Sequence, residues 1–181
     1  IQAGERMGRA IDGLLKGRGM VLVSTGQSDS LNLRERLEGF LGYIHRETNI
    51  DVLEVRYHQG VPEQALADLE GMIDDHPHFD AFVALDFVSG AASILVWKAM
   101  GLNRYALTFG LMPEIAEAVR NGQITMAVSL NEHRWGALIV EHLLKAGEGE
   151  EIPEFLDTGI SLVDIHAIES GEGMVETEPS D

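Results

Sequence analysis

Three stretches carry side chains with chemistry to offer. Ser24, Thr25, Gly26, Gln27 and Ser28 set hydroxyls and an amide in a polar loop straight after the apolar run Met20 to Val23. Such a loop can hydrogen-bond a phosphate or another polar ligand. It lacks the second and third glycines of a dinucleotide fingerprint and the lysine of a nucleotide-binding phosphate loop. Arg34 and Arg36 follow at a helix start, where a guanidinium offers several donors at fixed angles. Asp86 ends the apolar run from Phe79 to Leu85. A carboxylate there either accepts from paired ligand hydroxyls or caps the next helix. The histidines offer less. His76 and His78 straddle Pro77 as on a turn surface, and His58, His133 and His142 have no cysteine or clustered carboxylate at metal-ligand spacing. No magnesium-type acidic cluster follows the first strand. Binding without chemistry, metal or cofactor is therefore expected.

The elements that must position these groups are legible from periodicity. After the loop, Leu31, Leu33, Leu37, Phe40, Leu41 and Ile44 fall at helical spacing, so residues 20–44 read as strand, loop, helix. In an open α/β sheet, ligands sit at the carboxyl ends of the strands. Before it, Ala3, Met7, Ala10, Ile11, Leu14 and Leu15 form the apolar stripe of a helix that stops at Gly17 and Gly19. Strands are expected over 50–55, 79–85, 105–109, 124–130 and 160–165. Helices are expected from Pro62 to before Pro77, over 88–100 with packing on more than one side, over 113–119 and over 132–146. Strands alternating with helices predict a three-layer α/β fold with a mainly parallel open sheet. One domain is expected over 1–168, and the glycine and acid of 169–181 read as a disordered tail.

Composition narrows the partners. The 181 residues suffice for one good core, with 45% hydrophobic residues. Charge is strongly unbalanced: 13 Lys and Arg against 30 Asp and Glu give a formal net charge of -17. Nucleic acid and anionic membrane are repelled by such a field, so no direct nucleic-acid contact is expected. The absence of cysteine excludes disulfides and thiolate chemistry.

Several segments taken in order resemble a known family. They are AGERMGRAIDGLLKGRGMVLVSTG, where an AG-x-x-x-G helix leads into the first strand; NLRERLEGF, with an R-x-x-G-F helix start; DHPHFDAFVALD; PEIAEAVRNGQI before AVSL; and RWGALIVEHLL followed by a Gly-Glu link. Together they resemble the carboxyl-terminal lobe of a type I periplasmic sugar-binding protein of the ribose-binding and galactose-binding kind. The ligand-sensing half of lac-repressor-like regulators shares that fold. The resemblance implies a flavodoxin-like lobe whose strand-end loops form half of a ligand cleft. It maps Arg34 onto the arginine that grips sugar hydroxyls and Asp86 onto the acceptor after the third strand, with Ser28, Gly110 and Asn131 on neighbouring loops. Arg36 is expected to point elsewhere, on the surface. The chain departs from the family at Gly110, where an aspartate is usual, and at Leu130, where glutamine is frequent.

What the resemblance implies in function is the solute-binding component of an ABC-type uptake system, taking a small polar ligand such as a sugar. Its partners would be an amino-terminal lobe or second subunit meeting the helix at 132–146, and a membrane permease. A periplasmic or extracytoplasmic location would follow. Two alternatives stay open: the effector domain of a lac-repressor-like regulator, which would be cytoplasmic, and a flavin- or phosphate-binding flavodoxin-like protein.

Overall fold

The computed structural model describes residues 1–170. In chain order the elements are α1 (Gln2–Leu15), β1 (Arg18–Thr25), α2 (Leu31–Glu47), β2 (Asn49–Tyr57), α3 (Pro62–Asp75), β3 (Ala81–Ala84), α4 (Phe87–Met100), β4 (Tyr105–Phe109), α5 (Pro113–Arg120), β5 (Met126–Ser129), a 3-10 turn (Glu132–Arg134), α6 (Trp135–Gly147), β6 (Ser161–Val163) and α7 (Ile165–Ser170). Pro62 and Pro113 start α3 and α5. Proline's fixed φ and missing N–H cost nothing at that position.

Side-chain alternation in the strands decides the layers. Val21 and Val23 of β1, with Val83 of β3, join one core with Met7, Ile11, Phe40 and Ile44 of α1 and α2. Leu22 and Phe82, on the opposite face, join a second core with Leu69, Met72, Trp97 and Ile115 of α3, α4 and α5. A strand buried on both faces reads as a continuous apolar run, as in residues 81–85. The six strands lie in the order β2-β1-β3-β4-β5-β6. The pairs from β2 to β5 are parallel, and β6 runs antiparallel to β5, with Ala127 opposite Val163. Chain order reverses between β1 and β3. That reversal opens a crevice at the carboxyl ends of these strands, the usual place for a ligand.

Close helix packing explains the AG-x-x-x-G segment. A Cβ at Gly4 would stand 1.9 Å from the backbone oxygen of Arg36, and one at Gly8 would stand 2.8 Å from the Tyr43 ring. Bare backbone at these positions lets α1 lie against α2 and fixes where the start of α2 sits over the sheet.

The structure differs from the sequence reading at the last elements of the chain and in α4. The last strand is short, and Ile165–Ser170 is helical, with Asp164 Oδ1 accepting from Ala167 N at 2.9 Å. Glu169 and Ser170 thus belong to a helix packed near α5 rather than to a tail. Residues 171–181, where the rest of the tail was expected, lie outside the described residues. Helix α4 buries one face, carried by Ser89, Ala92, Ser93, Val96 and Trp97, and leaves Leu95 and Met100 exposed. No residue of α6 is buried, and Trp135, Ile139, Val140, Leu143 and Leu144 all face solvent. Among the described residues no helix is long and apolar enough to cross a membrane.

Candidate functional site

The switch point between β1 and β3 gathers groups far apart in the chain. Asp86 leaves β3 and caps α4, its Oδ1 accepting from Val88 N at 2.8 Å and Ser89 N at 2.9 Å. Its Oδ2 lies 3.1 Å from His58 Nε2 and 3.1 Å from Ser89 Oγ. The histidine enters from the loop after β2, which neighbours β1 on the other side. His58 Nδ1 accepts from Gly60 N at 3.1 Å. The imidazole proton therefore sits on Nε2 and is donated to Asp86. Ser89 Oγ also meets Ser24 Oγ at 3.1 Å, which ties the end of β1 into the same network. His58, Ser24, Ser89 and Asp86 are all buried. Four donors occupy the two carboxylate oxygens, about as many as a carboxylate accepts. Asp86 is thus a fixed charge whose lone pairs are already engaged.

Arg36 comes to this cluster from the second turn of α2. Its Nη1 donates to the carbonyl oxygen of Leu85, and its guanidinium carbon lies 3.4 Å from the centre of the Phe109 ring at the end of β4. Cation and ring face attract electrostatically in that arrangement. Burial pushes the guanidinium down from its ordinary value to about 10, against the opposing fields of Asp86 and Glu132. Removing a cation from water costs more here than the two carboxylates return.

The structure corrects the expectation that Arg36 is a surface residue. Arg34, in the first turn of α2, is exposed, and no ion pair joins it to Glu38 among the described residues. The signal for Arg36 was present in the sequence. Counted strictly, the R-x-x-G-F segment is Arg36, Leu37, Glu38, Gly39, Phe40.

The remaining candidates separate. Ser28 is exposed in the loop after β1. Gly110 lies at the end of β4, with φ +88 and its N–H donated to Val128 O at 2.8 Å. A side chain at that φ is strained, so glycine suits the position. Asn131 is buried and turned inward: its Nδ2 donates to Thr158 O at 2.7 Å and its Oδ1 accepts from Ser161 Oγ at 2.9 Å. These bonds lock the exit of β5 to the start of β6. Glu132, unnoticed in the sequence, follows it half-buried with Oε2 accepting from Ser129 Oγ. Of the predicted set the crevice thus holds Asp86 and Gly110, and it adds Arg36, His58, Phe87, Phe109 and Glu132. His76 is engaged elsewhere, 3.3 Å from Glu54. Among the described residues no three His, Asp or Glu side chains are grouped to hold a metal.

Comparison with known proteins places this architecture. Three similar solved structures are bacterial ABC transporter solute-binding proteins. One from Burkholderia graminis, in complex with D-arabinose, is 26% identical with a TM-score of 0.83 over 93% of this chain and 61% of its own. One from Agrobacterium vitis with bound D-fucose is 21% identical with a TM-score of 0.86 over 95% and 60%. One from Actinobacillus succinogenes with bound D-allose is 18% identical with a TM-score of 0.85 over 93% and 60%. The chain therefore spans about three-fifths of these proteins, the extent of one lobe with its connections. No curated protein matches the sequence. Residues 1–151 match the family described as periplasmic binding protein domain. By that match the chain belongs to the periplasmic binding protein domain family, which is non-enzymatic.

Proposed function

We propose that this chain is the carboxyl-terminal lobe of a sugar-capturing solute-binding protein and that its strand-end crevice forms one wall of the ligand cleft. The observation that carries the reading is Arg36 laid on Phe109 beside Asp86 at the topological switch point. A guanidinium held by one backbone bond keeps further N–H groups for ligand oxygens. Asp86 supplies a fixed opposing charge, and Phe87, 62% exposed, offers an aromatic face to a sugar ring.

Helix α6 supports the same assignment. A helix with no buried residue and a broad apolar surface is incomplete by itself. In this reading α6 crosses to the amino-terminal lobe and buries that surface there, and the closed pair delivers its sugar to a membrane permease outside the cytoplasm. Calorimetry on the full-length gene product with D-arabinose, D-allose and D-fucose tests the proposal. At least one of these neutral sugars should bind, and Arg36→Ala should weaken it tenfold or more. Failure of all three sugars to bind, or parent-like binding by Arg36→Ala, refutes it. Reading the gene upstream of Ile1 separates transport from regulation: a signal peptide supports the first, and a helix-turn-helix segment would replace it with an effector-sensing repressor.

A further inference from the structure

Resting on that reading, we propose that Glu132 is the specificity-determining residue of the crevice, accepting a hydrogen bond from a hydroxyl of a neutral sugar and turning anionic sugars away. The backbone is built to deliver this side chain. Asn131 takes the left-handed conformation, φ 57, and its side chain is bonded at both ends, to Thr158 O and Ser161 Oγ. A non-glycine residue persists there because those bonds over-determine it, and the turn that follows is fixed with it. Ser129 Oγ then donates to Glu132 Oε2, which orients the carboxylate.

The other oxygen, Oε1, is left for a ligand. It lies 3.9 Å from the point that a Cβ would occupy at Gly110, and the Phe87 Cβ lies 3.9 Å from the same point. Gly110 fills none of this space. A carboxylate oxygen, an exposed aromatic side chain and bare glycine backbone thus stand together at the exits of β4 and β5. A sugar ring against Phe87 can direct a hydroxyl to Oε1, and a charged acceptor makes that bond stronger than a neutral one would. An anionic ligand meets the opposite field. The fields of Asp86 and Glu132 both act on the half-buried Arg36 guanidinium, so its charge is already opposed by two carboxylates. A sugar phosphate or uronate would place a further negative charge among them. The acceptor that the family usually places after β4 is thus offered here from the exit of β5.

Calorimetry on the full-length gene product tests this with matched probes: D-arabinose and D-arabinose 5-phosphate, D-allose and D-allose 6-phosphate, D-fucose and D-galacturonate. The parent should bind a neutral sugar and not its anionic counterpart. Glu132→Ala should weaken the neutral sugar tenfold or more in a chain that still unfolds cooperatively. Glu132→Gln keeps an acceptor for Ser129 and removes the charge, and it should raise affinity for the anionic counterpart tenfold or more. Neutral-sugar binding unchanged in Glu132→Ala, or continued rejection of the anion by Glu132→Gln, overturns the assignment to Glu132 while leaving sugar capture standing. A parent that binds none of the neutral sugars overturns both.

Discussion

Replacing Arg36 by methionine should preserve or raise the stability of this chain while abolishing its capacity to bind. The guanidinium is pushed well below its ordinary value, to about 10, with burial as the largest cause. A difference of that size corresponds to about 3 kcal/mol of preference for the neutral form in the folded chain. Arginine does not deprotonate to escape it, so the strain stays in the native state. The group is only half-buried, and solvent screening reduces the cost to about 1 to 2 kcal/mol. Because the folded value lies below the unfolded one, the unfolded chain holds the proton more tightly. The charge therefore costs stability throughout the range below about pH 10, and the cost fades only as pH rises through the interval between the folded and unfolded values. Methionine keeps the stem and the contact with Phe109 while leaving Leu85 O without its donor, a loss of about 1 kcal/mol. The expected result in urea titrations at pH 7 is a change between zero and about 1 kcal/mol of added stability. If Arg36 were instead a stabilising ion-pair partner, the same substitution would remove about 3 kcal/mol or more. A loss above about 1.5 kcal/mol would refute the account, and retention of sugar binding would refute the role given to the side chain.

Three further expectations follow from specific contacts. Gly4→Ala drives a methyl into the Arg36 carbonyl and should cost about 2 to 3 kcal/mol, whereas Gly13→Ala on the same helix meets open space and should add about 0.5 to 1 kcal/mol in chemical denaturation; equal effects would mean that α1 and α2 are not closely packed. His58→Leu strips Asp86 of a donor and Gly60 N of its acceptor, and should lower the melting midpoint by about 5 to 10 °C, with His58→Gln recovering part of the loss because its amide still donates; no recovery would place the cost in packing alone. Leu143, 67% exposed on α6, should accept aspartate with less than about 0.5 kcal/mol change in stability, while sedimentation at micromolar concentration should show the parent chain associating and Leu143→Asp not; two clean monomers would show that the apolar face needs no cover.

The fold was legible because its signals are local. Apolar runs and helical stripes report which side of each segment is buried, and Pro62 and Pro113 mark helix starts through φ alone. The alternation of five such strands with helices permits few topologies. Even the AG-x-x-x-G segment stood in the sequence, although its work, the contact of α1 backbone with α2 backbone, is visible only when both helices are placed.

The crevice was less legible because proximity there is not local. Arg34 and Arg36 differ by two positions, about 200° around a helix, and only the strict count of the R-x-x-G-F segment favours Arg36 in the sequence. The choice falls to the seating of α2, whose close approach to α1 and the first core sets the second turn of α2 over Phe109. His58 and Asp86 are 28 residues apart, and their hydrogen bond exists because β1 lies between β2 and β3 in the sheet. Glu132 is one acidic residue among 30 until the left-handed backbone at Asn131 directs it beside Gly110. Residue types and element order were the sequence's to determine, since both depend on neighbours along the chain; which charges face one another was left to the packing of helices on a twisted sheet.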